Sequence, residues 1–171
     1  MSRDRVTAWK FELQTIHHRL ERELKRARRA TKTASLSDDL LAHCYGFCSA
    51  LTDHHVREDK GLFIRLLAEH PDLKPTIEQL KADHLVLAGL ITEFEQALDA
   101  CSASGRTTND DLHAHLDQLH LRMSEHFGRE EATLNAALDK LVTTRDEAHE
   151  LVGDGQPRPR RTSPGTGQQL E

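Results

Sequence analysis

The chain has 171 residues, enough for one domain with a sizeable core, and 30% of them are charged while 4% are aromatic. A net charge of -5 speaks against a dedicated nucleic-acid binder, and a chain rich in Leu, Ala, Glu, Lys and Arg, with little Pro or Gly before residue 152, has helical composition. Cys44, Cys48 and Cys101 form no extracellular framework and fit a reducing cytoplasm, and the opening MSRDRVTAWKFELQTIHHRL has no apolar run for a signal peptide or membrane span.

Residues 4–30 read as a first helix, with Asp4 as a cap and Trp9, Leu13, Ile16, Leu20, Leu24 and Ala27 at three- and four-residue steps. His17 lies in that apolar stripe, whereas His18 shares a polar face with Gln14, Arg22 and Lys25. The basic residues from Arg19 to Lys32 are interleaved with Glu21 and Glu23 and read as a solvated face. A second helix spans about 38–69, capped by Ser37 or Asp38, with Leu40, Cys44, Phe47, Leu51, His54, Glu58, Leu62 and Arg65 or Leu66 inward. Cys44 and Cys48 read as small core hydrophobes, and Tyr45 as packing.

HPDLKP stops this helix, because proline cannot continue it. A third helix over about 75–103 carries Ile77, Leu80, His84, Leu87, Ile91, Phe94 and Leu98 inward. SGRTTN is a turn, and a fourth helix runs from Asn109 or Asp110 to about Glu150. Its stripe is Leu112, Leu116, Leu119, Met123, His126, Glu130, Leu134 or Thr133, Ala137 and Leu141, with His113, His115 and His120 off the line at the surface. The expected fold is all-α, an up-down-up-down antiparallel four-helix bundle over residues 1–150, with 151–171 as a disordered tail.

Polar residues interrupt those stripes in a pattern. HHVRE (54–58) and HFGRE (126–130) both read His-x-x-x-Glu, which puts imidazole and carboxylate side by side on one helix face. His55 competes with His54, but only His54 has a carboxylate four residues on. At a rise of about 1.5 Å per residue, His17 and His54 lie about 20 and 25 Å from their shared loop, and Glu58 and His84 about 16 and 14 Å from theirs. His84, His126 and Glu130 lie about 28, 25 and 31 Å from the last loop. All six side chains therefore sit at one depth.

Ionised carboxylates inside an apolar core lose several kcal/mol of solvation unless something compensates them. Four imidazoles and two carboxylates exceed what one first-row ion can use. With each Glu bridging, they serve two metals and leave positions open for an oxo or hydroxo bridge and a small exogenous molecule. Histidine and carboxylate donors with open positions point to iron first, then manganese or zinc.

This pattern, H…HxxxE…H…HxxxE at His17, His54–Glu58, His84 and His126–Glu130, resembles the hemerythrin-like HHE cation-binding domains. HHRLEREL, HHVREDKGLF and ADHLVL agree locally, and the resemblance covers roughly residues 8–142. It implies a four-helix bundle with a non-haem di-iron centre, in which the four histidines are terminal ligands and Glu58 and Glu130 bridge. Two departures stand out. Oxygen-carrying members have a second histidine where Ala88 stands, and end in His-x-x-x-x-Asp where this chain has His126-x-x-x-Glu130. The resemblance thus implies reaction with oxygen, peroxide or nitric oxide rather than reversible carriage. A sensing module without turnover is the alternative; a metal-free interaction bundle and an oxygenase for an organic substrate are further readings. The expected partner is a small diatomic molecule or peroxide, with no nucleic acid and no membrane.

Overall fold

The computed structural model describes residues 7–33, 36–104 and 108–158. The elements run β1 (Thr7–Ala8), α1 (Trp9–Thr33), α2 (Asp38–Arg57), a π turn (Glu58–Leu62), α3 (Phe63–Glu69), a 3-10 turn (Pro71–Leu73), α4 (Lys74–Ser104), α5 (Asn109–Leu138), β2 (Val142–Thr143) and α6 (Arg145–Val152). The class is all-helical apart from the bridge that pairs β1 with β2, antiparallel, with Thr7 opposite Thr143. Among the described residues no helix is long and apolar enough to cross a membrane.

Four rods enclose one core: α1, α2 continued by α3, α4, and α5. The α1 stripe from Trp9 to Ala27 is fully buried, as its spacing requires. Leu66, rather than Arg65, completes the second rod's stripe, and Leu134, rather than Thr133, extends the fourth. Each buried leucine contributes about 1.5–3 kcal/mol relative to exposure. Contacts between neighbours run in opposite order: His17, Arg28 and Thr31 of α1 meet Glu131, Asp117 and His113 of α5. Tyr45 and Asp59 likewise meet Asp99 and His84 of α4.

Local chemistry sets the ends. Ser37 Oγ accepts from Leu40 N at 3.1 Å, and Thr108 with Asp111 forms a capping box that starts the fourth helix at Asn109, as expected. Asp4 lies outside the described residues, and α1 begins at Trp9. The fourth helix stops at Leu138 rather than near Glu150. The β-branched run Val142-Thr143-Thr144 disfavours helix, and Val142–Thr143 pairs with the start of the chain instead. Thr144 then caps α6 by accepting from Glu147 N at 3.2 Å. Residues 153–158 differ from the expected tail: Arg158 N donates to Gly46 O at 3.2 Å, Arg19 donates to Asp154 O at 2.9 Å, and Gly153 and Gly155 are buried. Residues 159–171 lie outside the described residues.

Cys44 and Cys48 pack in the core, and burial pushes the Cys44 thiol up to about 12 and the Cys48 thiol well above its ordinary value. Thiolate is the reactive form, so folded protein treated with iodoacetamide at pH 8 is expected to keep both residues unmodified. Mass mapping of alkylated peptides before and after denaturation checks this; rapid labelling of either in the folded state contradicts it.

Candidate metal centre

The six polar residues in the apolar stripes all lie inside. His17, His54, Glu58, His84, His126 and Glu130 are each at most 4% exposed. α1 supplies His17, α2 supplies His54, α4 supplies His84, and α5 supplies His126 and Glu130. Glu58 opens the π turn, in which Phe63 N–H reaches back five residues to the Glu58 carbonyl. Such turns are rare and frequently found at functional sites.

The structure brings the six together. His17 Nε2 lies 3.3 Å from Glu130 Oε2, and His54 Nε2 lies 3.2 Å from Glu58 Oε1. Glu58 Oε2 is 3.4 Å from His84 Nε2, so the two oxygens of one carboxylate face different histidines. Glu130 Oε2 lies 3.7 Å from His126 Nε2, and the Nε2 atoms of His84 and His126 stand 3.0 Å apart. Two groups result, with donor atoms within 4.8 Å of one another: His17, His54, Glu58 and Glu130, and then His55, Glu58, His84 and His126. Glu58 belongs to both.

Each of the four expected histidines is held from outside by its other nitrogen. His54 Nδ1 lies 2.6 Å from the Val152 carbonyl oxygen, which can only accept, so this nitrogen carries the proton. His17 Nδ1 faces Glu131 Oε1 at 2.7 Å, and His84 Nδ1 faces Asp59 Oδ1 at 2.8 Å. His126 Nδ1 lies 3.5 Å from Asp83 Oδ2, which Arg129 also binds. A neutral ring with its proton on Nδ1 presents the Nε2 lone pair inward.

Inside, the Nε2 atoms of His84 and His126 meet only each other, and the remaining inward atoms meet no partner. His17 Nε2, His54 Nε2, His55 Nε2 and both oxygens of Glu58 and of Glu130 are buried without a hydrogen-bond partner, their mutual approaches falling outside hydrogen-bond geometry. Each such atom costs about 1–3 kcal/mol. Burial, with His17 alongside, lowers the His54 pKa to about 3, and burial lowers that of His126 to about 4. Burial works the same way on His17, but Glu130 and Glu131 outweigh it and raise its pKa. Burial and the neighbouring Glu130 push Glu58 well above the usual carboxylate range. On Glu130 burial also acts upward, yet the imidazole of His17, 3.3 Å away, brings it below that range. Inward lone pairs beside carboxylates are the complement of cations, and the residues present are able to hold metal ions.

The sequence profile of the Hemerythrin HHE cation binding domain matches residues 11–138. The chain belongs to this family. No curated protein and no solved structure matches the chain.

Three parts of this HHE domain's centre escape the i, i+4 rule. His55, set aside in favour of His54, is buried in the second group, and its three-residue spacing to Glu58 was the available signal. The π turn has no periodic signature, although Gly61 permits its packing: a Cβ there would meet Leu151 Cδ2 at 2.7 Å. The C-terminal segment lies beyond residues 11–138, yet Val152 holds His54. Its sequence signal was Thr144-x-x-Glu147, a helix-start pattern. His113, His115 and His120 are half-buried and lie outside both groups.

Gly155 fixes that segment, with φ +66 and a would-be Cβ 3.1 Å from the Ile16 carbonyl oxygen. Gly155→Ala is expected to destabilise the domain by about 1–2 kcal/mol. Gly89→Ala, in mid-helix with open space around it, is expected to stabilise it by about 0.5–1 kcal/mol. Urea unfolding of both variants tests the contrast; equal shifts would show that the segment bears no strain at Gly155.

Proposed function

We propose that this HHE domain holds two iron ions through His17, His54, His84 and His126, with Glu58 and Glu130 shared between them, and that a small oxidant binds or reacts there. Oxygen, peroxide and nitric oxide are the molecules in view. The observation that carries the reading is the convergence of buried donor atoms from four rods, seven of which, on His17, His54, His55, Glu58 and Glu130, have no hydrogen-bond partner. Bound iron supplies one-electron redox chemistry and vacant positions for a small molecule, which zinc would not combine.

The chain's own residues supply the setting. Glu131, Asp59 and the Val152 carbonyl hold protons on Nδ1 and so aim Nε2. Phe127 stacks on His17 with ring centroids 3.8 Å apart, and Phe63 lies parallel to His84, so both rings exclude water. A cleft of about 130 Å³ bordered by Asp83, Leu87, Arg129 and His126 supports a small reactant. The reversed contact order of neighbouring helices supports the up-down-up-down bundle. The free thiols support a cytoplasmic setting. Pairing of Arg28 with Asp117, and of Arg19 with the Asp154 carbonyl, supports partners other than nucleic acid.

Elemental analysis of protein purified without chelator is expected to give two irons per chain, and removing them is expected to lower the melting temperature. Ferrous protein mixed anaerobically with peroxide, oxygen or nitric oxide is expected to change its visible spectrum. Metal-free protein that takes up no iron would sink the reading. Asp59→Asn is expected to weaken iron binding by about 10–100-fold with the fold intact; an unchanged binding isotherm would exclude that role for Asp59.

The Val152 contact also favours a second reading, in which iron or oxygen state is sensed without turnover. It predicts that residues 145–158 become markedly more protease-sensitive when iron is removed, while peroxide is not consumed. Equal cleavage rates with and without iron would rule it out.

A further inference from the structure

We propose that His55 is a fifth imidazole donor of this centre, binding the ion of the second group through Nε2 beside His84, His126 and Glu58. The proposal rests on the two-iron reading and adds a residue to it. His55 is 5% exposed, and its Nε2 is buried with no hydrogen-bond partner. A histidine kept only for packing turns each buried nitrogen to a donor or acceptor, since leaving one unmatched costs about 1–3 kcal/mol. Here the surroundings are rings: His84 at 4.1 Å and 16°, His126 at 5.2 Å and 89°, His54 at 5.4 Å, and Phe127 at 6.4 Å.

Helix geometry explains how two consecutive residues serve two groups. Successive side chains on a helix diverge by about 100°. His54 consequently faces α1, with its ring 5.2 Å from His17, while His55 faces α4, with its ring stacked on His84. Glu58, three residues after His55, projects from the same face. The four donors of this group lie within 4.8 Å of one another. Donors bonded at about 2.0–2.1 Å on opposite sides of one ion stand about 4 Å apart, so a small closure brings all four to one centre. α4 cannot supply this donor, because Ala88, one turn after His84, has no donor atom and is exposed. His55 from α2 takes that part, and the two ions receive unequal numbers of imidazoles: His17 and His54 on one, His55, His84 and His126 on the other.

The test is anaerobic ferrous titration and Mössbauer spectroscopy of wild type and His55→Phe, a variant that keeps a ring against His84 and removes both nitrogens. Wild type is expected to bind two irons and to show two quadrupole doublets of equal area. His55→Phe is expected to bind one iron within twofold of wild type and the other at least about tenfold more weakly, with one doublet displaced or lost. His55→Leu serves as the second variant, and circular dichroism of the metal-free forms checks folding. Two irons bound with wild-type affinities and unshifted doublets in either folded variant would overturn the role of His55 while leaving the two-iron reading intact. Should both variants fail to fold, the wild-type spectrum decides: a single doublet from equivalent irons overturns the proposal. Wild type that binds no iron overturns the two-iron reading itself.

Discussion

Two carboxylates held in a dry interior set the terms for everything around them. Glu58 and Glu130 are fully buried, and neither receives a protein hydrogen bond on its oxygens. In a bundle stabilised by leucines, that placement is a standing loss of several kcal/mol for each ionised group. The surrounding histidines reduce it only in part: they stand 3.2–3.7 Å away with lone pairs, rather than protons, directed inward where the Nδ1 partner fixes the tautomer. The interior is therefore organised for positive charge that the polypeptide itself does not provide.

Support for this arrangement comes from outside the ring of donors. Glu131, Asp59 and Asp83 sit next to, or one residue from, the inward-facing positions of their own rods, at Glu130, Glu58 and His84. A single helical turn thus delivers one group to the interior and an adjacent one to the back of a neighbouring imidazole. His17 is held by α5, His84 by the π turn and His126 by α4, so each ring is oriented by a rod other than its own. Displacing one rod against another disturbs several rings together, which makes the geometry of the centre a property of the packed bundle.

Much of this was legible in the chain because both signals share one period. Apolar residues at three- and four-residue steps define the inner face, and a histidine or glutamate in that series must point inward unless the helix breaks. All six anticipated residues follow that rule. The rule fails where the period changes. At Glu58 the π turn inserts an extra residue, and at Val142 the backbone leaves the helix for a two-residue bridge. His55 shows a subtler limit: it sits beside the stripe, yet the inner face is broad enough at this depth to take two consecutive residues. The segment from Thr144 to Arg158 was obscured because its contacts, such as Arg158 N to Gly46 O and Arg19 to Asp154 O, are made by backbone groups that leave no trace in side-chain periodicity.

The acceptor on His54 has a practical corollary. The match to the family ends at residue 138, whereas the peptide carbonyl that sets one imidazole's tautomer belongs to Val152. A recombinant fragment cut at the end of the family match would retain all the side chains of the centre and still lose the group that keeps one of them turned the right way. In this protein the working border of the domain is drawn by a main-chain oxygen, fourteen residues past the last recognisable position of the motif-bearing region.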